Sequence, residues 1–211
     1  MYWCVTTRTT LKDGLYNYDA IARLQRLQEV KQQQQDNSSQ LFEEREKQVQ
    51  EQLQSIEKYI TLGPLGTALL PSEKPRVLLI DEIDKSDIDL PNDLLTVFEE
   101  GFFEISELVR IKEEVKTAKV RTAYTSDISE EIIEGRVSCK AFPFVILTSN
   151  GERDFPPPFL RRCLRLTMKE PEKEHLIKII SAHLGKEMVS LEDSSKLIDA
   201  DLDALVDYFI E

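Results

Sequence analysis

Val77-Leu78-Leu79-Ile80-Asp81-Glu82-Ile83-Asp84-Lys85 is the stretch of sequence that decides the fold. Four apolar residues run directly into two adjacent carboxylates. An apolar run of this length predicts a strand buried on both faces, as in a parallel sheet covered by helices. Ligands of such sheets gather at the carboxyl ends of the strands, where Asp81 and Glu82 are expected to lie. An ordinary core strand that ends in surface acids is the alternative.

The two neighbouring acids indicate a cation site. Two carboxylates at a buried strand tip repel each other unless a cation or hydrogen-bond donors meet them. A nucleotide-bound Mg²⁺ suits oxygen ligands of this kind. We therefore predict that Asp81 holds the metal or its water, and that Glu82 orients and polarises the attacking water.

A second buried strand is predicted within Phe144–Gly151. This segment also changes from apolar to polar at its carboxyl end, which places Thr148, Ser149 and Asn150 level with Asp81 and Glu82. A polar amide there can hold a water or a phosphate oxygen. The alternative is that Asn150 only begins a turn before Gly151.

Two arginines, Arg161 and Arg162, follow the rigid segment Pro156-Pro157-Pro158. Arginines just past a nucleotide site suit recognition of phosphate on a neighbouring subunit, because the guanidinium group binds phosphate bidentately. The alternative is a surface helix end that pairs with the acids of this protein.

The composition bounds the class of protein. The chain has 211 residues, 41% of them hydrophobic, which allows one large domain or one domain and part of another. Its formal net charge of −12 argues against broad binding to nucleic acid or to anionic membranes. No apolar run approaches transmembrane length, and no signal peptide is recognisable. The three cysteines are widely spaced, which predicts reduced thiols in a cytoplasmic protein.

The other patterns predict further elements. β-formers open the chain at Tyr2–Thr7, and Asp13-Gly14 is typical of a turn. Residues 18–60 are predicted to form two helices, or one long helix with a polar interruption, around Asp36 to Ser39. Further helices are predicted over residues 67–70, 89–100, from Pro171, and over 201–210. Strands are predicted over 103–111, 120–124, 135–139 and 164–168, and the acidic stretch 127–134 is predicted to be a solvated turn or helix.

The order of these motifs resembles that of the AAA+ ATPases, most closely the MoxR-like branch. Four motifs recur there in similar order: Gly-Pro-Leu before a Leu-Leu helix end, Leu-Leu-Ile-Asp-Glu-Ile-Asp, Phe-Glu-Glu-Gly, and Leu-Thr-Ser-Asn-Gly-Glu-Arg. The likeness covers about Tyr2 to Glu170, apart from the polar insertion. It implies an α/β fold, namely an incomplete P-loop NTPase three-layer sandwich with helical-hairpin and β-hairpin insertions. The core would span residues 1–169, with 31–40 as polar insertion, and a helical lid would begin over 170–211.

The resemblance also implies roles for the predicted site residues. Asp81 and Glu82 would be the Walker B pair, and Asn150 the sensor-1 residue. Arg162 would be the arginine finger that reaches a neighbour's γ-phosphate, with Arg161 as the second choice. ATP and Mg²⁺ are the implied cofactors. The implied partners are the neighbours in a homo-oligomeric ring and a von Willebrand factor A domain protein, with no role for nucleic acid or membrane.

Two departures from the family pattern matter. No Gly-x-x-x-x-Gly-Lys-Ser/Thr motif occurs, and Gly63-Pro64-Leu65-Gly66-Thr67 lacks the lysine and hydroxyl that a phosphate loop needs. No sensor-2 arginine is recognisable. We therefore expect the chain to be a fragment that binds ATP weakly or not at all by itself. A non-catalytic AAA+ interaction module is the alternative, and a clamp-loader or helicase relative is disfavoured by the charge.

Overall fold

The computed structural model describes residues 1–36, 54–169, 179 and 182. The chain divides into two compact units, Met1–Cys163 and Leu164–Glu211, which are treated separately. The first unit is a mixed α/β fold. Its strands are β1 (Tyr2–Cys4), β2 (Tyr16–Tyr18), β3 (Ile60–Leu62), β4 (Val77–Asp81), β5 (Phe102–Glu104), β6 (Thr117–Thr122), β7 (Thr125–Ile133), β8 (Arg136–Ser138) and β9 (Phe144–Leu147).

The helices of the first unit are mostly short. Two 3-10 helices cover Gln54–Tyr59 and Ile83–Lys85. The α-helices are α1 (Leu11–Leu15), α2 (Ala20–Asp36), α3 (Pro64–Ala68), α4 (Leu90–Glu100), α5 (Ser106–Val109) and α6 (Pro157–Leu160). Among the residues that the structure describes, no helix combines the length and apolar character that a membrane crossing requires.

A parallel sheet in the order β1-β4-β9 has β4 (Val77–Asp81), which contains the apolar run, as its central strand. Leu79 of β4 lies opposite Tyr2 of β1 on one side and Ile146 of β9 on the other. The predicted strands at Val77 and Phe144 are therefore confirmed, and they are parallel neighbours. Their carboxyl ends meet at one edge of the sheet.

Only one face of this sheet is fully packed. Leu78 and Ile80 are completely buried on the inner face, whereas Val77, Phe144 and Ile146 on the other face are 52%, 63% and 41% exposed. The prediction of strands buried on both faces is wrong for this outer face. An apolar run shows that a strand can be buried on both faces of a sheet. Whether a second layer of helices packs on the outer face depends on other parts of the chain, so the run itself does not predict it.

The second sheet has the order β2-β3-β6-β7-β8-β5, with β3 and β6 parallel and the other pairs antiparallel. The predicted β candidates at 120–124 and 135–139 correspond to β6 and β8. Of the acidic stretch 127–134, predicted as a turn or helix, residues 127–133 lie instead in β7, and only Glu134 is in a turn. Ile132 of β7 is buried opposite Ala118 of β6, so cross-strand pairing and burial outweigh the low strand propensity of the acidic residues.

Two short segments differ from the predicted local structure. The predicted turn at Asp13-Gly14 is part of α1, because Thr10 and Asp13 form a capping box in which each side chain bonds the other's backbone N–H. The predicted strand 103–111 ends at Glu104 and continues as α5. Ile105 and Leu108 are both buried and lie three residues apart, which places them on one face of a helix but on opposite faces of a strand.

The predicted helices have mixed outcomes. The helix over 89–100 is confirmed as α4, with Gly101 as its left-handed C-cap at φ 66°. The helical stretch predicted from Tyr18 to Ile60 is confirmed as α2 and as the 3-10 helix Gln54–Tyr59, whereas Ile60 belongs to β3. Residues 37–53 lie outside the described residues. The helix predicted over 67–70 lies earlier, as α3.

The second unit is described at few positions. Residues 164–169 have no regular structure, so the strand predicted over 164–168 is wrong, and Leu164 and Leu166 are exposed. Residues 179 and 182 are helical. The rest of the lid predicted over 170–211 lies outside the described residues.

Candidate functional site

The candidate site lies where β4 and β9 end side by side. The backbone N–H of Thr148 donates to the carbonyl of Ile80 at 3.0 Å, and the N–H of Ile83 donates to the carbonyl of Thr148 at 3.0 Å. These two bonds continue the pairing beyond both strands. The structure therefore brings Asp81, Glu82 and Asn150 together, as the sequence predicted.

Two hydroxyl groups hold the Asp81 carboxylate. The Thr148 hydroxyl donates to Oδ1, and the Tyr2 hydroxyl donates to Oδ2 at 2.8 Å. Hydrogen bonds to the charged form, first from Thr148 and then from Tyr2, lower the pKa of Asp81. The same contact with Asp81 raises the pKa of Tyr2 to about 12. Asp81 is thus ionised at neutral pH and Tyr2 is not.

Glu82 occupies a strained backbone conformation. Its φ of 56° and ψ of 48° are left-handed, a region that costs a residue with a side chain about 1–2 kcal/mol. The Thr148 hydroxyl oxygen accepts the N–H of Glu82 at 2.9 Å and holds the backbone there. Such conformations cluster at functional sites, where the surrounding contacts maintain them.

Two donors meet the Glu82 carboxylate. Oε1 accepts a hydrogen bond from Lys85 Nζ at 2.7 Å and from Asn150 Nδ2 at 3.2 Å. The hydrogen bond to Glu82 raises the pKa of Lys85. Asn150 also precedes Gly151, which has a φ of +78°. Asn150 therefore belongs to a turn and also contacts the acids, so the two interpretations of this residue are compatible.

The predicted arginines lie at the end of α6. Arg161 and Arg162 are both exposed. Arg162 forms an ion pair with Glu99 of α4 and donates to the carbonyl of Pro158 at 3.1 Å. Neither guanidinium hydrogen-bonds to the Asp81, Glu82 or Asn150 side chains, so within the described residues the structure does not bring them into the site.

The oxygen atoms of the site are of the type that binds Mg²⁺, but they are too few to complete its coordination shell. Carboxylate, hydroxyl and amide oxygens are hard ligands, which Mg²⁺ prefers. In the described part of the chain, however, no three His, Cys, Asp or Glu side chains form a group that could hold a metal. Mg²⁺ typically takes one or two carboxylates and completes its shell with water and substrate phosphates. The residues therefore fit a metal that arrives with a nucleotide, with Asp81 as its holder.

The sequence predicts that Thr148 lies level with the two acids, and its hydroxyl indeed bonds to Asp81 and to the N–H of Glu82. Sequence reasoning missed three other participants. Lys85 lies three residues after Glu82, a spacing that could have revealed the ion pair. Tyr2 and Asp84 gave no comparable signal, because their contacts span 66 residues or more along the chain.

A search of known protein families, curated proteins and solved structures found no match to this chain.

Proposed function

We propose that the chain is part of a MoxR-like AAA+ ATPase, which couples ATP binding and hydrolysis to remodelling or chaperone-like action in a ring assembly. The fold proposed with it is an incomplete P-loop NTPase sandwich. One observation carries the proposal: the Glu82 carboxylate meets the Asn150 amide beside Asp81, at the shared carboxyl edge of two parallel strands.

The site residues have distinct roles in this proposal. Phosphoryl transfer depends on positioning and on stabilising charge. Bound Mg²⁺ supplies positive charge at the phosphates, and Asp81 holds the ion or its water. Glu82 orients and polarises the attacking water, and Asn150 holds Glu82 in place. The Lys85 ammonium group donates to Glu82 Oε1. For Glu82 to bind the attacking water through this oxygen, Lys85 must either release the carboxylate or bind it together with the water.

Arg162 acts on a neighbouring subunit in this proposal, with Arg161 as the second choice. An arginine finger accelerates hydrolysis by about 10³ to 10⁵. In the single chain, Arg162 is paired with Glu99, an exposed contact of small energetic value. Ring assembly can therefore redirect it at little cost.

The proposed partners are the copies that form the ring and a protein with a von Willebrand factor A domain. The proposed location is the cytoplasm. The acidic charge of −12 supports the exclusion of nucleic acid as a partner.

The test compares phosphate release from Mg·ATP by the wild type and by Glu82→Gln, each prepared with any sequence that its gene encodes upstream of Met1. Loss of the water-orienting carboxylate is expected to lower the rate by about 10² or more. Glu73→Gln is the matched control, because Glu73 is an exposed glutamate that pairs with Lys140, away from the candidate site. Equal rates for the wild type and Glu82→Gln would contradict the role of Glu82.

A non-catalytic AAA+ interaction module is the second candidate. The observation that favours it is that Asp81, Glu82 and Arg162 all have partners within the chain. If wild-type protein assembles with a partner but releases no phosphate, and Glu82→Gln assembles equally well, this candidate replaces the first.

A further inference from the structure

We propose that Asp84 is a positioning residue of the candidate site. Its carboxylate accepts the backbone N–H groups of Asn150 and Glu152. These two bonds hold the backbone of Asn150 where its side chain can hydrogen-bond to Glu82. An effect of Asp84 on catalysis rests on the proposed function, whereas its effect on the position of the Asn150 side chain does not.

Asp84 is a buried acid whose bonds cross the site. It is only 5% exposed, and its Oδ2 accepts the N–H of Asn150 at 3.0 Å and of Glu152 at 3.1 Å. Both donors lie in the turn after β9, whereas Asp84 lies in the 3-10 helix after β4. Hydrogen bonds to a buried charged acceptor are stronger than neutral ones, so this turn is held firmly to the end of β4.

The position of Asn150 depends on this anchor. Its side chain is exposed and meets Glu82 through one hydrogen bond of 3.2 Å, which is too weak to order the turn. Among the described residues, the N–H of Gly151 donates to the Ser149 hydroxyl, within the same turn. Asp84 therefore supplies two of the bonds that fix this turn against the Glu82 side.

The experiment uses the full chain labelled with ¹⁵N and three variants. Asp84→Leu is similar in size and removes both acceptor oxygens. Asp84→Asn keeps one carbonyl oxygen, which can accept the same N–H groups without the charge. Thr67→Val is the matched control, because Thr67 is a buried polar residue whose hydroxyl also accepts a backbone N–H, that of Ala123, outside the Asn150 turn.

Asp84→Leu is expected to speed hydrogen exchange at the Asn150 and Glu152 amides by at least about tenfold. It should also move the Asn150 side-chain amide resonance to the position found in Glu82→Ala, which lacks the acceptor. Asp84→Asn should retain most of the wild-type protection and resonance position. Thr67→Val should leave both unchanged, even if it lowers global stability as much.

Wild-type exchange and resonance positions in Asp84→Leu would overturn the proposal, and so would equal effects in Asp84→Leu and Asp84→Asn. If Asp84→Leu does not fold, Asp84→Glu takes its place. Its longer side chain displaces the carboxylate, so the Asn150 resonance must move if the carboxylate sets its position. An unmoved resonance overturns the proposal.

Phosphate release from Mg·ATP, measured in parallel, separates this inference from the proposed function. A rate at least tenfold lower in Asp84→Leu and largely restored in Asp84→Asn supports both. If even the wild type releases no phosphate, the proposed function fails, while the amide measurements still decide the role of Asp84.

Discussion

At the scale of single residues, the site is a set of paired side chains around two acids. Tyr2 and Thr148 hold Asp81, and Lys85 and Asn150 hold Glu82. Because every acid has its own donors, the arrangement needs no bound cation to keep two neighbouring carboxylates ionised. A nucleotide-bound metal would have to exchange with at least one of the hydroxyl groups on Asp81.

Tyr2 reports on the state of Asp81. Its pKa of about 12 results first from the hydrogen bond to Asp81. At a pH of about 11, above the usual tyrosine pKa of about 10, Tyr2 should still be protonated in the wild type and largely ionised in Asp81→Asn. The ring resonance of Tyr2 measures this, with circular dichroism to check that both proteins remain folded.

The raised pKa of Tyr2 also sets the sign of a stability change. The folded state holds the Tyr2 proton more tightly than the unfolded state, so this contribution is complete below a pH of about 10 and is lost as the pH rises through about 12. In the control variant Glu73→Gln, the Tyr2 hydroxyl should titrate as it does in the wild type. A Tyr2 already ionised at pH 11 in the wild type would contradict the contact.

At the scale of elements, the glycines of the Gly-Pro-Leu-Gly segment have a packing role. A Cβ atom at Gly66 of α3 would lie 1.9 Å from the carbonyl oxygen of Leu15 of α1. Only a residue without a side chain allows these two short helices to approach so closely. The segment lacks the Gly-Lys-Ser/Thr ending of a phosphate loop. Its glycine at position 66 instead allows α1 and α3 to contact each other.

Gly66→Ala is expected to destabilise the protein by about 3 kcal/mol, because backbone atoms must move to admit the methyl group. Gly151→Ala is the matched control. Gly151 has a φ of +78° and nothing within 4 Å of the added carbon, so it should cost only about 1 kcal/mol of backbone strain. Urea unfolding of the two variants measures the difference, and equal losses would contradict the close contact.

At the scale of the whole molecule, the parallel sheet has one packed face and one open face. The core lies on the inner face, where Leu78 and Ile80 are completely buried. The outer face shows Val77, Phe144 and Ile146 to solvent. Parallel sheets are usually covered on both faces, so this surface departs from the ordinary architecture.

The open face predicts unequal effects of mutation on its two sides. Phe144→Thr should change the free energy of unfolding by no more than about 0.5 kcal/mol, because the side chain is already exposed. Leu78→Ala on the inner face should cost about 3 kcal/mol, because it leaves a cavity. Denaturant unfolding measures both. A loss of several kcal/mol in Phe144→Thr would mean that this face is covered in the folded protein.

The sequence by itself determined the strands around Ile80 and Val145, helix α4, and the meeting of Asp81, Glu82 and Asn150. These follow from short-range patterns: apolar runs that stop at polar residues, a helical period that ends at glycine, and the rule that parallel strands end at the same edge. Tertiary structure alone decided that residues 127–133 of the acidic stretch lie in β7 and that the sheet has an open face. It also decided that Tyr2 and Asp84 serve the site. The physical reason is that burial, cross-strand pairing and a left-handed Glu82 depend on partners distant in the chain, whose presence no local pattern records.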